Sequence, residues 1–271
     1  MELLHYTFFQ NALWGALLAS ILCGCIGTYI VTRRLVLISG GITHASFGGI
    51  GIGVLCGWSP ILSAMVYAVL SAFGIQWLSH RTDVREDSAI ALFWTFGMSI
   101  GIICCFLTPG FMPDMPSFLF GSILTISAPD LWLLAVLTII VTAIFFFFLQ
   151  PIISVAFDNT FARSQHLPVD LIEYGMMALI AMTIVATLRL VGIVLAISLL
   201  TIPQITANLF TYSYRKMILG SIAIGFADCL LGLLVSYQLN VPSGAAIIFM
   251  GIIVYLLARG TKMLIIRSHR E

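Results

Sequence analysis

His44 is the residue best equipped for chemistry in this chain. Its stretch opens with two cations, Arg33 and Arg34, and then runs almost wholly apolar to Gly53. The interruptions are Ser39, Thr43, Ser46 and glycines at 40, 41, 48, 49, 51 and 53. An apolar run of about 20 residues is long enough to cross a bilayer. An ionisable group inside such a run is costly in hydrocarbon, so it must face other helices or a wet cavity. The small residues let neighbouring backbones come close. A neutral imidazole is a common ligand for zinc and other divalent transition metals, and the hydroxyl of Thr43 adjoins it in sequence. The alternative role is a histidine hydrogen-bonded to a neighbouring helix, holding a bundle together.

Asp228 is the second candidate. It lies within Gly225-Phe226-Ala227-Asp228-Cys229, mid-span, with no cation near in sequence. A lone intramembrane carboxylate needs a partner or a proton. It either supplies an oxygen ligand opposite His44, or pairs with Arg189 or caps a broken helix. A third feature is Ser198 and Pro203 in the run 191–210. Proline removes an intrahelical hydrogen bond and frees a carbonyl. Such a break is tolerated in membranes where it faces protein or water, so these two residues are expected to line a polar pathway. Gly97-Met98-Ser99-Ile100-Gly101 has the letters of a nucleophile elbow, but that motif needs a strand-to-helix turn. It defines one rival function, an intramembrane serine hydrolase using Ser99 and His44. The six cysteines all lie in apolar runs with no Cys-x-x-Cys pair, and read as small hydrophobes.

The elements that must position these residues are membrane helices. The 271 residues are 61% hydrophobic and 8% charged, against about 25% charged in a soluble domain. Alternation typical of β-barrel spans is absent from the sequence. Apolar runs at 8–32, 35–56, 60–79, 89–107, 130–150, 169–188, 190–211, 217–238 and 243–259 predict an all-α polytopic protein of nine spans. Eight spans result if the two runs meeting near Arg189 form one bent element. The linkers are short, which predicts a single transmembrane domain over 1–271, and the first run ends at Arg33-Arg34 rather than at a signal-peptide cleavage site. Arg33, Arg34, Arg81, Arg85, Arg163, Arg215, Lys216, Arg259, Lys262, Arg267 and Arg270 fall on one side of the spans. The positive-inside rule makes that side cytoplasmic and the orientation N-out, C-in; Arg189 alone falls elsewhere and is given a structural role. The loop 108–129, with Pro109, Pro113 and Pro116 and no cation, is then external, either an ordered surface loop or a lip for a docking partner. The segment 151–168 is internal. Asp158 is an N-cap type, a short helix is expected after it, and Pro168 marks the next start. Asp170 and Glu173 are expected to stay wet at the inner boundary. No Gly-x-x-x-x-Gly-Lys-Ser/Thr phosphate loop occurs, so ATP-driven work needs a second polypeptide. Nothing indicates nucleic acid. An ion-coupled secondary transporter is the other rival.

Several segments, in order, resemble the ABC-3 type metal-ion permeases, the membrane subunits of bacterial zinc, manganese and iron importers. Arg33-Arg34 followed by His44 and small residues is similar to the family's second helix. One departure is that Ser39-Gly40 stands where Gly-Asp is usual, so the carboxylate one turn before the histidine is missing. Arg85-Glu86-Asp87-Ser88-Ala89-Ile90 resembles the family's helix start, and acids in a first turn also favour a helix N-terminus unaided. Val191-Gly192, Leu199-Leu200, Pro203 and Ala207 match a later helix, and Pro242-Ser243-Gly244-Ala245 the last hairpin. Asp158 and Ala162 fit the coupling helix, with His166 where glycine is common. The resemblance implies a multi-pass permease of the bacterial inner membrane that works as a homodimer. It implies a cytoplasmic ATPase seated on Phe157, Asp158, Asn159, Phe161, Ala162, Arg163 and His166, and an external metal-binding protein. It implies no permanently bound cofactor. The transported divalent ion would be held by His44, helped by Thr43 and Asp228, and loss of the carboxylate at position 40 tilts the expected metal to zinc.

Overall fold

A computed structural model of the chain describes residues 7–109 and 126–268. Residues 110–125 of the expected external loop 108–129, and the side chain of Arg189, lie outside the described residues. The described elements are all helical: α1 (Thr7–Thr32), α2 (Val36–Cys56), α3 (Pro60–Arg81), α4 (Glu86–Leu107), α5 (Ala128–Phe157), α6 (Asn159–Ser164), α7 (Val169–Leu199), α8 (Ile202–Asn208), α9 (Tyr214–Leu239) and α10 (Ser243–Ser268). Nine segments among the described residues are long and apolar enough to span a membrane.

Local chemistry sets the boundaries. Gly57 ends α2 in the left-handed region (φ 69°), its amide and that of Trp58 closing on the carbonyls of Val54 and Gly53. Glycine reaches that conformation without a Cβ penalty. Pro60 then opens α3 in its first turn, where a missing N–H costs nothing. α7 passes Arg189 without ending, but Gly192 breaks its helical geometry at φ 74° and ψ 172°. The two membrane-length segments, Val169–Leu188 and Val191–Asn208, meet just before this glycine, so they count separately among the nine candidate spans of the described residues.

Two expectations need correction. Pro151 does not end its span: α5 continues through it to Phe157, with non-helical geometry at Phe148. The proline bends the helix by removing one bond, and Ile152, Val155 and Ala156 beyond it are buried, which holds the last turns in place. Only 159–164 of the segment 151–168 forms a separate short helix. Glu173 is not wet: it is 3% exposed and paired with Arg33, while Asp170 is exposed and pairs with Arg163 at 2.5 Å. Cys23, Cys25, Cys105 and Cys229 are buried, Cys104 is half-buried, and Cys56 at the end of α2 is exposed.

α1, α2 and α7 supply most of the buried core, whereas α3, α4, α5, α9 and α10 turn large apolar side chains outward. Phe106, Trp132 and Phe146 are each at least 73% exposed, an outer surface suited to lipid rather than water. α2 packs against α3, α4 and α7; α9 packs against α1, α8 and α10.

The contact of α2 with its neighbours is made of backbone. A Cβ on Gly48 would lie 2.8 Å from the Gly97 carbonyl, one on Gly51 2.6 Å from that of Gly101, and one on Gly41 2.5 Å from Ile90. These pairs follow the same order, so α2 and α4 run parallel in fixed register. On the other side, Gly49 abuts Ser63 and Ala64 of α3. Gly40 differs, since its Cβ would meet only Ile197 Cδ1 at 3.9 Å. Gly40→Ala is therefore expected to keep or slightly raise thermal stability, by up to about 1 kcal/mol from helix propensity. Gly41→Ala, one residue on, is expected to lower it by roughly 1–3 kcal/mol through overpacking. Melting curves of the two purified variants check the contrast.

Candidate metal pathway and docking surface

The register of α2 on α4 places His44 beside Trp94. The two rings stack with centroids 4.4 Å apart and planes 5° from parallel. The imidazole is half-buried, and its Nδ1 is buried with no hydrogen-bond partner. The hydroxyls around it are already committed: Thr43 donates to the Ser39 carbonyl at 2.6 Å, Ser39 to that of Val36 at 2.7 Å and Ser46 to that of Thr43 at 2.6 Å. Such back-bonding leaves the oxygen lone pairs as acceptors or ligands. The half-buried face of α2 carries Gly40 and His44, and Ile197 of α7 lies across from Gly40. Ser198, next to Ile197, is half-buried on the same stretch. His44, Gly40, Trp94 and the Ile197-Ser198 stretch thus form one partly open surface, and beneath it lies the buried, unpartnered Nδ1 of the His44 ring.

Pro203 sits elsewhere. The helix breaks at Leu200-Thr201, ahead of it, and Pro203 occupies the first turn of α8, buried with its ring toward Gly225 of α9. A freed carbonyl, that of Leu199, accepts from Gln204 Nε2 at 3.1 Å, and the same amide reaches the Cys23 carbonyl at 2.8 Å. Gln204 therefore ties the break to α1. A Cβ on Gly27 would come within 2.5 Å of that nitrogen, so the tie depends on a glycine.

Asp228 is 2% exposed. Its Oδ1 is buried without a partner, and its Oδ2 would lie 3.2 Å from a Cβ on Gly251 of α10. It belongs to the α1, α8, α9, α10 side of the bundle, whereas His44 belongs to the α2, α3, α4, α7 side. Among the described residues no group of three or more His, Cys, Asp or Glu side chains could hold a metal ion. The donor set around His44 in one chain is sparse. It can touch a divalent ion but not enclose one.

Ser99 lies inside α4 and donates to the Thr95 carbonyl at 2.8 Å. The glycines beside it are the ones that meet α2. The Gly-x-Ser-x-Gly spelling is thus a packing face and not a nucleophile elbow.

At the other end of the molecule, Asp158 caps α6 as expected: its Oδ1 accepts from the amides of Thr160 and Phe161 at 2.8 and 3.0 Å. Ala162 is buried against Val155 and Val169. Phe157 and Phe161 project outward, 68% and 54% exposed, together with Arg163 and His166. His166 takes a left-handed φ of 57°, the conformation that favours glycine. The chain therefore needs this turn whichever residue fills it. Trp94, Gln76, Gln204 and the pairing of Glu173 are functional or structural side chains that sequence reasoning missed. Only the glycine register of α2 on α4 could have signalled Trp94.

Residues 5–261 match the ABC 3 transport family. The chain is 33% identical to the manganese transport system membrane protein MntC of Halalkalibacterium halodurans, with 95% of this chain and 88% of that one aligned. It is 30% identical to a "Probable iron transport system membrane protein" of Haemophilus influenzae, with 98% of each covered. It also superposes on a chain of PsaBC from Streptococcus pneumoniae, solved in complex with Fab, with a TM-score of 0.85, 26% identity and coverage of 94% of this chain and 92% of that one. This chain belongs to the ABC 3 transport family, as a multi-pass protein of the bacterial cell membrane.

Proposed function

We propose that the chain is the permease subunit of an ATP-driven importer of divalent transition-metal ions, oriented N-out and C-in, working as a homodimer. Its work is transport and not catalysis. Nucleotide chemistry belongs to a separate cytoplasmic ATPase seated on α6 and its flanks: Phe157, Asp158, Asn159, Phe161, Ala162, Arg163 and His166. An external metal-binding protein delivers the ion. The observation that carries this reading is His44: a half-buried imidazole with an unpartnered nitrogen on a membrane helix, beside a position where glycine leaves open space.

In this reading the ion passes along the face of α2, touches His44 with help from the Thr43 oxygen, and moves past Ser198. Asp228 acts on the far side of the bundle, and Pro203 fixes the break that shapes the pathway. Weak, incomplete ligation suits a conduit, because the ion must leave as readily as it enters. One imidazole and no neighbouring carboxylate favour zinc over manganese, which prefers more oxygen. The names of the relatives favour manganese or iron.

Uptake of radioactive zinc and manganese into vesicles holding the permease with its ATPase tests this. ATP-dependent uptake is expected, reduced by at least about tenfold in His44→Ala, since loss of even an outer-shell partner of a metal ligand costs roughly 10–100-fold. Zinc should compete better than manganese, and Gly40→Asp should reverse that order. Uptake driven by an ion gradient without ATP, or unchanged in His44→Ala, contradicts the proposal.

A further inference from the structure

Five elements meet at Glu173. Its Oε1 accepts from Arg33, in the turn between α1 and α2, and from Asn159 Nδ2 at 2.7 Å, in the first turn of α6. Its Oε2 accepts from Gln76 Nε2 of α3 at 3.4 Å. Arg33 Nη1 donates to Asn159 Oδ1 and to the carbonyl of Val155 at the end of α5, both at 3.1 Å. That carbonyl is one of the orphans left by a helix C-terminus. Guanidinium, carboxylate and amide thus form a closed triangle joining α6 to α1 and α7.

We propose that the Arg33–Glu173–Asn159 triangle is the link that carries movement of α6 to the helix holding His44, so that Asn159 and Glu173 are positioning residues for transport. This deepens the reading of α6 as the ATPase seat and rests on it. α6 is six residues long, and Ala162 is its one buried side chain. Polar bonds at its first residue therefore carry a large part of its attachment. Arg33 stands just before α2, and His44 follows about two turns into that helix. A shift of α6 pulls on Asn159, hence on Arg33, hence on the start of α2.

The triangle also has somewhere to go. Beside it lies a cavity of about 200 Å³ lined in part by Arg33, Gln76, Glu86, Glu173 and Met177. Gln76 is 7% exposed, and its Oε1 is buried with no hydrogen-bond partner. Glu86, a second carboxylate on the lining of that cavity, is where a displaced guanidinium would pair. Two discrete arrangements of one polar node are what coupling through packed helices requires.

Asn159→Ala separates the link from the fold, because it leaves the buried Arg33–Glu173 pair intact, whereas removing one member of such a pair strands a charge. Zinc uptake and ATP hydrolysis are measured together in vesicles holding the full complex. Because Asn159 also lies on the ATPase seat, hydrolysis by its variant is free to change, and the readout is the ratio: ions moved per ATP are expected to fall about tenfold. Glu173→Gln, which keeps the shape, should lower the same ratio. An unchanged ratio in both variants, or uptake and hydrolysis falling in proportion, overturns the proposal. If the unaltered complex moves no ions with ATP, the ATPase-driven reading itself fails and takes this one with it.

Discussion

The approach of the α2 backbone to α3 and α4 is the constraint on which the rest of the structure depends. In a bilayer, burying apolar surface does little to draw helices together, because lipid tails are as apolar as leucine. Close van der Waals contact must do that work. The glycines of α2 permit it on two sides at once, against Gly97 and Gly101 of α4 and against Ser63 and Ala64 of α3. With no side chains between the backbones, the register admits almost no slip. That rigidity sets the His44 ring against Trp94 and turns the remaining face, with Gly40, toward α7. A flexible loop could not hold an imidazole on a pathway with this reproducibility.

Three clusters of interior polar groups have different duties. Around Gln204 every donor bond goes to a backbone carbonyl, so this cluster repairs a helix break. Around Glu173 the bonds cross between helices and tie the inner ends of the bundle to α6. Around His44 a nitrogen is left unspent. A buried polar atom without a partner is a cost, which a passing ion would repay under the proposed function. The same physics explains why the site is thin. A cage of several carboxylates would hold the ion instead of passing it on.

Much of this was legible in the chain. The spans follow from long apolar runs, the capping of α6 by Asp158 from its residue type, and the choice of His44 as a candidate ligand from its isolation in hydrocarbon. The misses have a common cause. Trp94 and Gln76 carry no local signal, and Arg33 meets Glu173 across 140 residues of chain, which no spacing rule detects. The run expected over 130–150 falls short of the helix because it stops at Pro151. Here the residues beyond it bury well enough to continue the helix after one kink. Glu173 misled because its sequence neighbours suggest an aqueous edge, while a guanidinium from another turn brings it inside.

The central claim is that a metal ion in transit is ligated by the imidazole of His44. Anomalous X-ray scattering at the zinc edge from crystals of the metal-loaded complex measures this directly. The account predicts a peak about 2.1 Å from a ring nitrogen of His44, the usual zinc–imidazole distance. A peak elsewhere within the bundle, with the His44 ring still stacked on Trp94 and unligated, would contradict it.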